Sequence, residues 1–142
     1  GKGNSDKVNQ AYQQLNNSSA VSVNDFIDDM AQAYSQADLV ICRAGALTVS
    51  EITAIGVAAI FVPLPHAVDD HQTANASVLA KREGAILLPQ SELVAGKLKA
   101  ICAELFEHRE KLLAMAKNGF DRTYADSTDR VANVCMQAGG GQ

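Results

Sequence analysis

The sequence lacks the features that mark nucleic-acid-binding and membrane-spanning chains. Its 12 lysine and arginine residues are outnumbered by 16 aspartate and glutamate residues, so the formal net charge is −4. Because no basic cluster is present to neutralise phosphates, DNA and RNA are not expected partners. No apolar run approaches the roughly 20 residues that a membrane-spanning helix requires. With 47% hydrophobic and 20% charged residues, the 142-residue chain has the composition and length of one globular domain.

Cysteine and acidic residues are not arranged as metal ligands. The three cysteines, Cys42, Cys102 and Cys135, are an odd number without ligand spacing. We expect them to be reduced thiols in a cytoplasmic protein. An Asp-x-Asp motif is absent, and the pairs Asp28-Asp29 and Asp69-Asp70 are adjacent acids whose side chains diverge on a helix. Their expected roles are helix capping and solvation, and neither a metal ion nor a cofactor is expected.

Strand and helix patterns alternate along the chain. Residues 57–62 form an almost wholly apolar run, which is typical of a strand covered on both faces in a parallel sheet. Strands are predicted at 20–23, 39–42, 57–62 and 84–88. Helices are predicted at 6–15, from Asn24 or Asp25 through Tyr34, at 47–55 before Gly56, from Asp69 or Asp70 to Lys81, and from Ser91 onward. This order predicts an α/β fold with a Rossmann-like, doubly wound parallel sheet and a helical C-terminal tail.

The most informative segment is the turn Arg43-Ala44-Gly45, which joins an apolar strand to a helix. A helix that follows such a small-residue turn leaves free backbone N–H groups at its positive end, where phosphate oxygens bind readily. Glu51 lies further along the same helix and is suited to a ribose hydroxyl, as acidic residues are in dinucleotide folds. Taken alone, Glu51 is better explained as an acid that complements the helix dipole. The turn indicates a nucleotide-bearing ligand.

Three motifs lie in loops that are expected to meet beyond the carboxyl ends of the strands. They are Asp25-Phe26-Ile27-Asp28-Asp29-Met30, Cys42-Arg43-Ala44-Gly45-Ala46-Leu47-Thr48-Val49-Ser50-Glu51, and Val62-Pro63 followed by Asp70-His71-Gln72 with Asn75. In this order and spacing the motifs resemble the MurG family of bacterial glycosyltransferases, and the second motif is the most specific. The similarity extends from Gly1 to about Val134.

The resemblance implies the C-terminal, donor-binding half of a two-domain GT-B glycosyltransferase. The family transfers N-acetylglucosamine (GlcNAc) from UDP-GlcNAc to the 4-hydroxyl of lipid I, with inversion at the anomeric carbon, and so makes lipid II for peptidoglycan. It acts as a peripheral protein at the inner face of the bacterial cell membrane. Residues 1–142 are then expected to be a single truncated domain that starts within a loop. The acceptor domain, the first strand and loop of this domain and the general base are expected outside this chain, which alone is expected to be inactive.

The resemblance also implies contacts for the two ends of the donor. Ile27, with Phe26 beside it, is expected to border the uracil. Glu51 is expected to bind the ribose hydroxyls, and His71 and Gln72 are expected to reach the GlcNAc hydroxyls. The family often has glutamine where this chain has His71, so the expected sugar contact of Gln72 is better supported than that of His71.

The diphosphate is expected to lie at the turn between these two ends. By resemblance, Ala46, Leu47 and Thr48 face it through their backbone N–H groups and the threonine hydroxyl, next to Gly45. Arg43 is a secondary candidate with two alternatives: it approaches a phosphate, or it holds the turn by hydrogen bonds to carbonyl or carboxylate oxygens. Because the diphosphate gains negative charge as the glycosidic bond breaks, preorganised N–H donors suit this chemistry without a metal ion.

Three other functions remain as alternatives at this point. The chain is compatible with the donor-binding domain of another GT-B glycosyltransferase, or with a UDP-GlcNAc epimerase of similar fold. An epimerase requires its own acid and base facing the sugar, and the sequence shows no such set. A third alternative is a non-catalytic UDP-sugar-binding subunit that works beside a partner chain.

Overall fold

A computed structural model describes residues 3–14, 20–65 and 70–139 of the chain. The chain divides into two compact units, Gly1–Ala33 and Tyr34–Gln142. The first unit contains helix α1, Ser5–Gln13, and the division between the units falls within helix α2, Met30–Gln36. The helix predicted from residue 6 is confirmed in α1, whereas its predicted end at 15 lies outside the described residues.

The predicted strand at 20–23 and the predicted helix start at Asn24 or Asp25 are wrong. Residues 21–29 are irregular, and α2 begins only at Met30. Strand propensity in a run of four residues depends on a paired neighbour, so the pattern overstated the strand. The helix begins later because Asp29 provides the cap: its Oδ1 accepts the backbone N–H of Gln32 at 2.8 Å. The expected capping role of the first acidic pair is therefore confirmed at Asp29.

The second unit contains the sheet and most of the helices. Its strands are β1 (Val40–Cys42), β2 (Ala59–Phe61) and β3 (Ala85–Leu87), and its helices after α2 are α3 (Ala46–Ile55), α4 (His71–Ala80), α5 (Ala95–Glu107), α6 (Arg109–Gly119), α7 (Arg122–Ala125) and α8 (Ser127–Gly139). A 3-10 turn, Gln90–Glu92, precedes α5. None of the described helices combines the length and apolar character needed to cross a membrane.

The three strands form a parallel sheet in the order β1-β2-β3. The central strand is completely buried, as its apolar run predicts. Because side chains alternate along a strand, Ala59 and Phe61 face the cluster that contains α3 and α4, whereas Ile60 faces the cluster that contains α5 and α6. Both crossover helices thus cover one face, and the C-terminal helices cover the other. The predicted α/β fold class is confirmed.

The predicted bounds of α3 and α4 are correct within one residue, whereas β2 is shorter than the predicted run 57–62 and α5 begins at Ala95 instead of Ser91. Gly56 ends α3 in the left-handed conformation at φ 74°, which suits glycine because it has no Cβ. Helix α4 begins at His71, and Asp69 lies outside the described residues. The capping role expected of Asp70 is wrong, since its side chain makes no cap hydrogen bond. Its φ of 50° differs from the extended backbone from which an N-cap side chain normally reaches the helix.

The start of β3 packs directly on the end of α6 through two glycines. A Cβ placed on Gly84 would lie 2.5 Å from the Cα of Gly119 and 2.6 Å from its backbone nitrogen. Backbone atoms cannot yield as a flexible side chain can, so any side chain at position 84 forces the strand and helix apart. This contact fixes the helical layer against the edge of the sheet.

We predict that Gly84→Ala destabilises the protein by about 1–3 kcal/mol, because the added methyl group overpacks a backbone contact. The measurement is the midpoint of thermal or urea unfolding. Gly96→Ala is the matched control, since a Cβ at Gly96 meets nothing within 4 Å and the residue lies in α5. The control should be neutral or stabilising by at most about 1 kcal/mol. Equal midpoints for the two variants would contradict the packing argument.

The thiol of Cys42, the last residue of β1, is predicted to react slowly with alkylating reagents. Burial raises the pKa of its thiol to about 11, so roughly one Cys42 in a thousand is a thiolate at pH 8. Alkylation by iodoacetamide at pH 8 should therefore modify the exposed Cys135 long before Cys42. Peptide mass spectrometry over a time course measures both rates, and similar rates would show that the thiol is not buried as described.

Candidate functional site

The carboxyl ends of β1 and β2 meet at one edge of the sheet and are joined by Arg43. The guanidinium Nη1 of Arg43 donates to the carbonyl oxygens of Val62 at 3.1 Å and Pro63 at 3.0 Å. Of the two alternatives for Arg43, these bonds favour holding the turn through carbonyl groups. A phosphate contact by Arg43 stays a prediction.

Helix α4 supplies two further hydrogen bonds at the same edge. Asn75 Nδ2 donates to the carbonyl oxygen of Ala44 at 3.1 Å, so α4 supports the turn after β1. Gln72 Oε1 accepts the backbone N–H of Leu64 at 2.9 Å, so α4 also holds the loop after β2. The sequence motifs included Asn75, but its hydrogen bond to the turn after β1 was not predicted. The three-residue spacing between Gln72 and Asn75, which places both on one face of the helix, could have indicated it.

The first turn of α3 presents backbone donors at this edge. Gly45 precedes the helix with extended backbone, φ −61° and ψ 147°, and contributes no side-chain cap. The amide of Val49 is the first with an intrahelical partner, the Gly45 carbonyl oxygen at 2.9 Å. The N–H groups of Ala46, Leu47 and Thr48 therefore point out of the positive end of the helix. Leu47 is 73% exposed beside them.

Little of the described structure lies against Gly45. A Cβ placed there would meet Thr48 Oγ1 at 3.8 Å, which is an ordinary van der Waals distance, and no other described atom within 4 Å. The φ of Gly45 is also one that any residue adopts. Neither packing nor backbone conformation therefore requires glycine at position 45. The absence of a side chain leaves the three amides accessible to a group that approaches the backbone closely.

Glu51 lies in the second turn of α3 and is partly buried. Tyr34 of α2, which is 7% exposed, belongs to the same core cluster as Val49 and Ile52 of this helix. Burial raises the pKa of Tyr34, and the negative charge of Glu51 contributes to the same shift. The sequence pattern treated Tyr34 only as an apolar helix position and did not predict this interaction. The proposed ribose contact of Glu51 itself stays a prediction.

The remaining predicted site residues lie at three positions. His71 is exposed at the start of α4, immediately before Gln72. Phe26 and Ile27 belong to the first unit, where both side chains are exposed. Their contacts with sugar and uracil stay predictions, as does the expected meeting of loop 25–27 with the other loops. Within the described ranges, no group of three or more His, Cys, Asp or Glu side chains is placed to hold a metal ion.

The chain is similar to known proteins over most of its length. Residues 1–131 match the glycosyltransferase family 28 C-terminal domain. A curated relative from Aeromonas hydrophila subsp. hydrophila is 54% identical over all 142 residues, which are 39% of its length. One from Shewanella violacea is 51% identical over 137 residues, or 96% of this chain and 38% of the relative. Both are named UDP-N-acetylglucosamine--N-acetylmuramyl-(pentapeptide) pyrophosphoryl-undecaprenol N-acetylglucosamine transferase.

A solved structure supports the same conclusion. The crystal structure of Acinetobacter baumannii MurG superposes with a TM-score of 0.85 at 42% sequence identity, covering 96% of this chain and 39% of that one. The chain thus spans about two fifths of the length of the curated relatives and of this structure. The resemblance predicted from the three motifs is confirmed, and the chain belongs to the glycosyltransferase family 28 C-terminal domain.

Proposed function

We propose that this chain is the donor-binding domain of a transferase that moves GlcNAc from UDP-GlcNAc to the 4-hydroxyl of lipid I, with inversion at the anomeric carbon. The observation that carries the proposal is the N-terminus of α3 behind Gly45, at the carboxyl edge of a parallel sheet, where the first three amides of the helix have no intrahelical partner. The names of the two relatives, which describe GlcNAc transfer to a pyrophosphoryl-undecaprenol acceptor, support this donor and acceptor.

The diphosphate of the donor would lie against the first turn of α3. Negative charge grows on UDP as the glycosidic bond breaks, so donors fixed in advance stabilise the transition state more than the ground state. The N–H groups of Ala46, Leu47 and Thr48 are fixed by the helix itself, and Arg43 and Asn75 hold the turn before it. This domain would therefore assist departure of the leaving group.

The ribose and GlcNAc would lie on either side of the diphosphate. Glu51 is placed one turn beyond the amide donors, at a distance along the helix suited to ribose hydroxyls. Gln72 is oriented for the sugar, because its Oε1 is engaged by the Leu64 N–H and its Nε2 is left to donate elsewhere. His71 precedes it as the second sugar contact. Phe26 and Ile27 would border the uracil.

Acceptor chemistry would belong to the rest of the longer protein. We place the lipid I contacts and the general base in a domain outside this chain, since the chain spans only 39% of the length of the Aeromonas hydrophila relative. A lipid-linked acceptor places the reaction at a membrane surface. Peripheral attachment at the inner face of the cell membrane is the arrangement we propose, and no described helix is suited to spanning the bilayer.

We predict that Gly45→Ala weakens UDP binding without lowering the stability of the fold. A methyl group fits the fold at this position, so the unfolding midpoint should be unchanged or slightly raised. The same methyl group blocks close approach to the amides, so the Kd for UDP should rise by at least about tenfold, corresponding to roughly 1.4 kcal/mol. Calorimetric titration of the full-length protein measures the affinity. Unchanged UDP affinity would mean that the ligand does not approach the backbone here.

We predict different losses for Glu51→Ala and Gln72→Ala in the full-length protein. Glu51→Ala should weaken UDP and UDP-GlcNAc alike, by about tenfold or more, because it removes hydrogen bonds to a charged group. Gln72→Ala should weaken UDP-GlcNAc but leave UDP unchanged. Glu107→Ala and Gln36→Ala are the matched controls, because both residues are exposed and lie at the ends of α5 and α2, away from the carboxyl ends of the strands. Full UDP-GlcNAc affinity in both site variants would overturn the site assignment.

The activity itself is tested by incubating the full-length protein with lipid I and each of UDP-GlcNAc, UDP-GalNAc and UDP-glucose. Transfer from UDP-GlcNAc to give lipid II is the expected result. Failure to glycosylate lipid I, or equal use of all three donors, would contradict the proposed reaction. The Gly45→Ala protein serves as the low-activity reference, since it is expected to fold.

A further inference from the structure

A single peptide group in the loop after β2 is held at both ends by side chains. The carbonyl oxygen of Pro63 accepts from Arg43 Nη1 at 3.0 Å, and the N–H of Leu64 donates to Gln72 Oε1 at 2.9 Å. These two groups belong to the same planar amide, because a carbonyl and the N–H that follows it form one peptide unit. Arg43, in the candidate diphosphate turn, is thus linked to Gln72, the candidate sugar contact, through one rigid group.

The backbone around this peptide has little conformational freedom. Pro63 is buried and its ring fixes φ, and Leu64 precedes Pro65, which restricts Leu64 to extended backbone. Arg43 Nη1 also donates to the carbonyl oxygen of Val62 at 3.1 Å, so the residue before Pro63 is held by the same side chain. The position of the Leu64 N–H is therefore set by Arg43 and by the two flanking prolines.

The Leu64 N–H determines which way the amide of Gln72 faces. An N–H group requires an acceptor, and Oε1 is the acceptor atom of that amide, so Nε2 is directed away from Leu64. Gln72 is partly buried in the first turn of α4, at the carboxyl edge of the sheet. An Nε2 group fixed there presents hydrogen-bond donors, which suit a hydroxyl or carbonyl oxygen of a sugar.

We propose that Arg43 is a positioning residue for the sugar contact and that it acts on Gln72 through the Pro63–Leu64 peptide. A peptide whose carbonyl accepts from a cation has a more polar N–H, which makes a stronger hydrogen bond. This N–H holds Gln72 Oε1 and so keeps Nε2 directed to the sugar. The inference rests on the proposed function, whose GlcNAc contact it deepens, and it assigns Arg43 to the sugar and not to a phosphate.

The turn before α3 keeps other supports when Arg43 is replaced. Asn75 Nδ2 still donates to the carbonyl oxygen of Ala44 at 3.1 Å, and the N–H of Val62 still donates to the carbonyl oxygen of Cys42 at 2.8 Å. The amides of α3 are therefore expected to stay in place, whereas the loop after β2 loses its charged support. Binding of the sugar and binding of the diphosphate should then respond differently to loss of Arg43.

The test measures binding of UDP and of UDP-GlcNAc to the full-length protein by calorimetric titration. Arg43→Met keeps an aliphatic stem and removes the donors. We expect the Kd for UDP-GlcNAc to rise about three- to tenfold, the range of one hydrogen bond to a charged group, and the Kd for UDP to change less than about twofold. Arg43→Lys should lose less, since an ammonium group also donates to carbonyl oxygens. Arg122→Met, which removes an 84% exposed arginine side chain on α7, is the matched control.

A double-mutant cycle with Gln72 tests the path of the effect. In a Gln72→Ala background, Arg43→Met should weaken UDP-GlcNAc no further, because the side chain through which Arg43 acts is absent. Additive losses would overturn the inference. Equal weakening of UDP and UDP-GlcNAc by Arg43→Met would overturn it as well, since that result shows a phosphate contact or a general loss of structure.

The outcomes separate this inference from the proposed function. If Gln72→Ala weakens UDP-GlcNAc but Arg43→Met binds it as tightly as the wild type, this inference fails and the sugar contact of Gln72 stands. If Gln72→Ala itself keeps full UDP-GlcNAc affinity, the sugar contact of the proposed function is removed, and this inference with it.

A backbone substitution keeps every side chain in place in case Arg43→Met impairs folding. Leucic acid incorporated at position 64 of the full-length protein converts the Pro63–Leu64 amide to an ester, which has no N–H and a weaker carbonyl acceptor. The Kd for UDP-GlcNAc should again rise about three- to tenfold, with the Kd for UDP unchanged. Wild-type UDP-GlcNAc affinity in the ester protein would overturn the inference.

Discussion

Complete burial of the central strand β2 is the constraint on which the rest of the structure depends. Because Ala59, Ile60 and Phe61 have no solvent-facing side, helices are required on both faces of the sheet. Parallel pairing then requires a helical crossover between neighbouring strands, and α3 and α4 provide these crossovers. Each such helix starts where a strand ends, so helix N-termini collect at one edge. The position of the candidate site therefore follows from the complete burial of Ala59, Ile60 and Phe61 in β2.

Hydrogen bonds from side chains give this edge a defined geometry. Arg43 joins the ends of β1 and β2, Asn75 supports the turn after β1, and Gln72 holds the loop after β2. These bonds use carbonyl oxygens and one loop amide, and among the described residues none of them involves the first amides of α3. The polar side chains thus act mainly as supports, while the backbone presents the donors. These supports would hold the candidate site in place before any ligand arrives.

The elements predicted correctly from the sequence are those that a single local feature determines. The apolar run around β2 and the glycine at position 56 predicted a strand and a helix end because burial and a positive φ each admit few alternatives. The prediction was wrong for the start of α2, where several acids compete to cap and the carboxylate of Asp29 does so. The hydrogen bond from Asn75 to the Ala44 carbonyl oxygen joins residues distant in sequence. Such pairs depend on tertiary packing, which one sequence does not specify.

Because the candidate diphosphate site relies on backbone amides at the start of α3, binding there would depend little on ionic strength. The chain carries a net charge of −4, and its one arginine at this turn is occupied by carbonyl oxygens. A diphosphate would meet neutral donors and a short-range helix dipole, in place of a cluster of mobile cations. Long-range attraction would contribute little to the rate of encounter, and added salt would have little to screen. Recognition would depend on shape and donor placement, which changing salt concentration leaves intact.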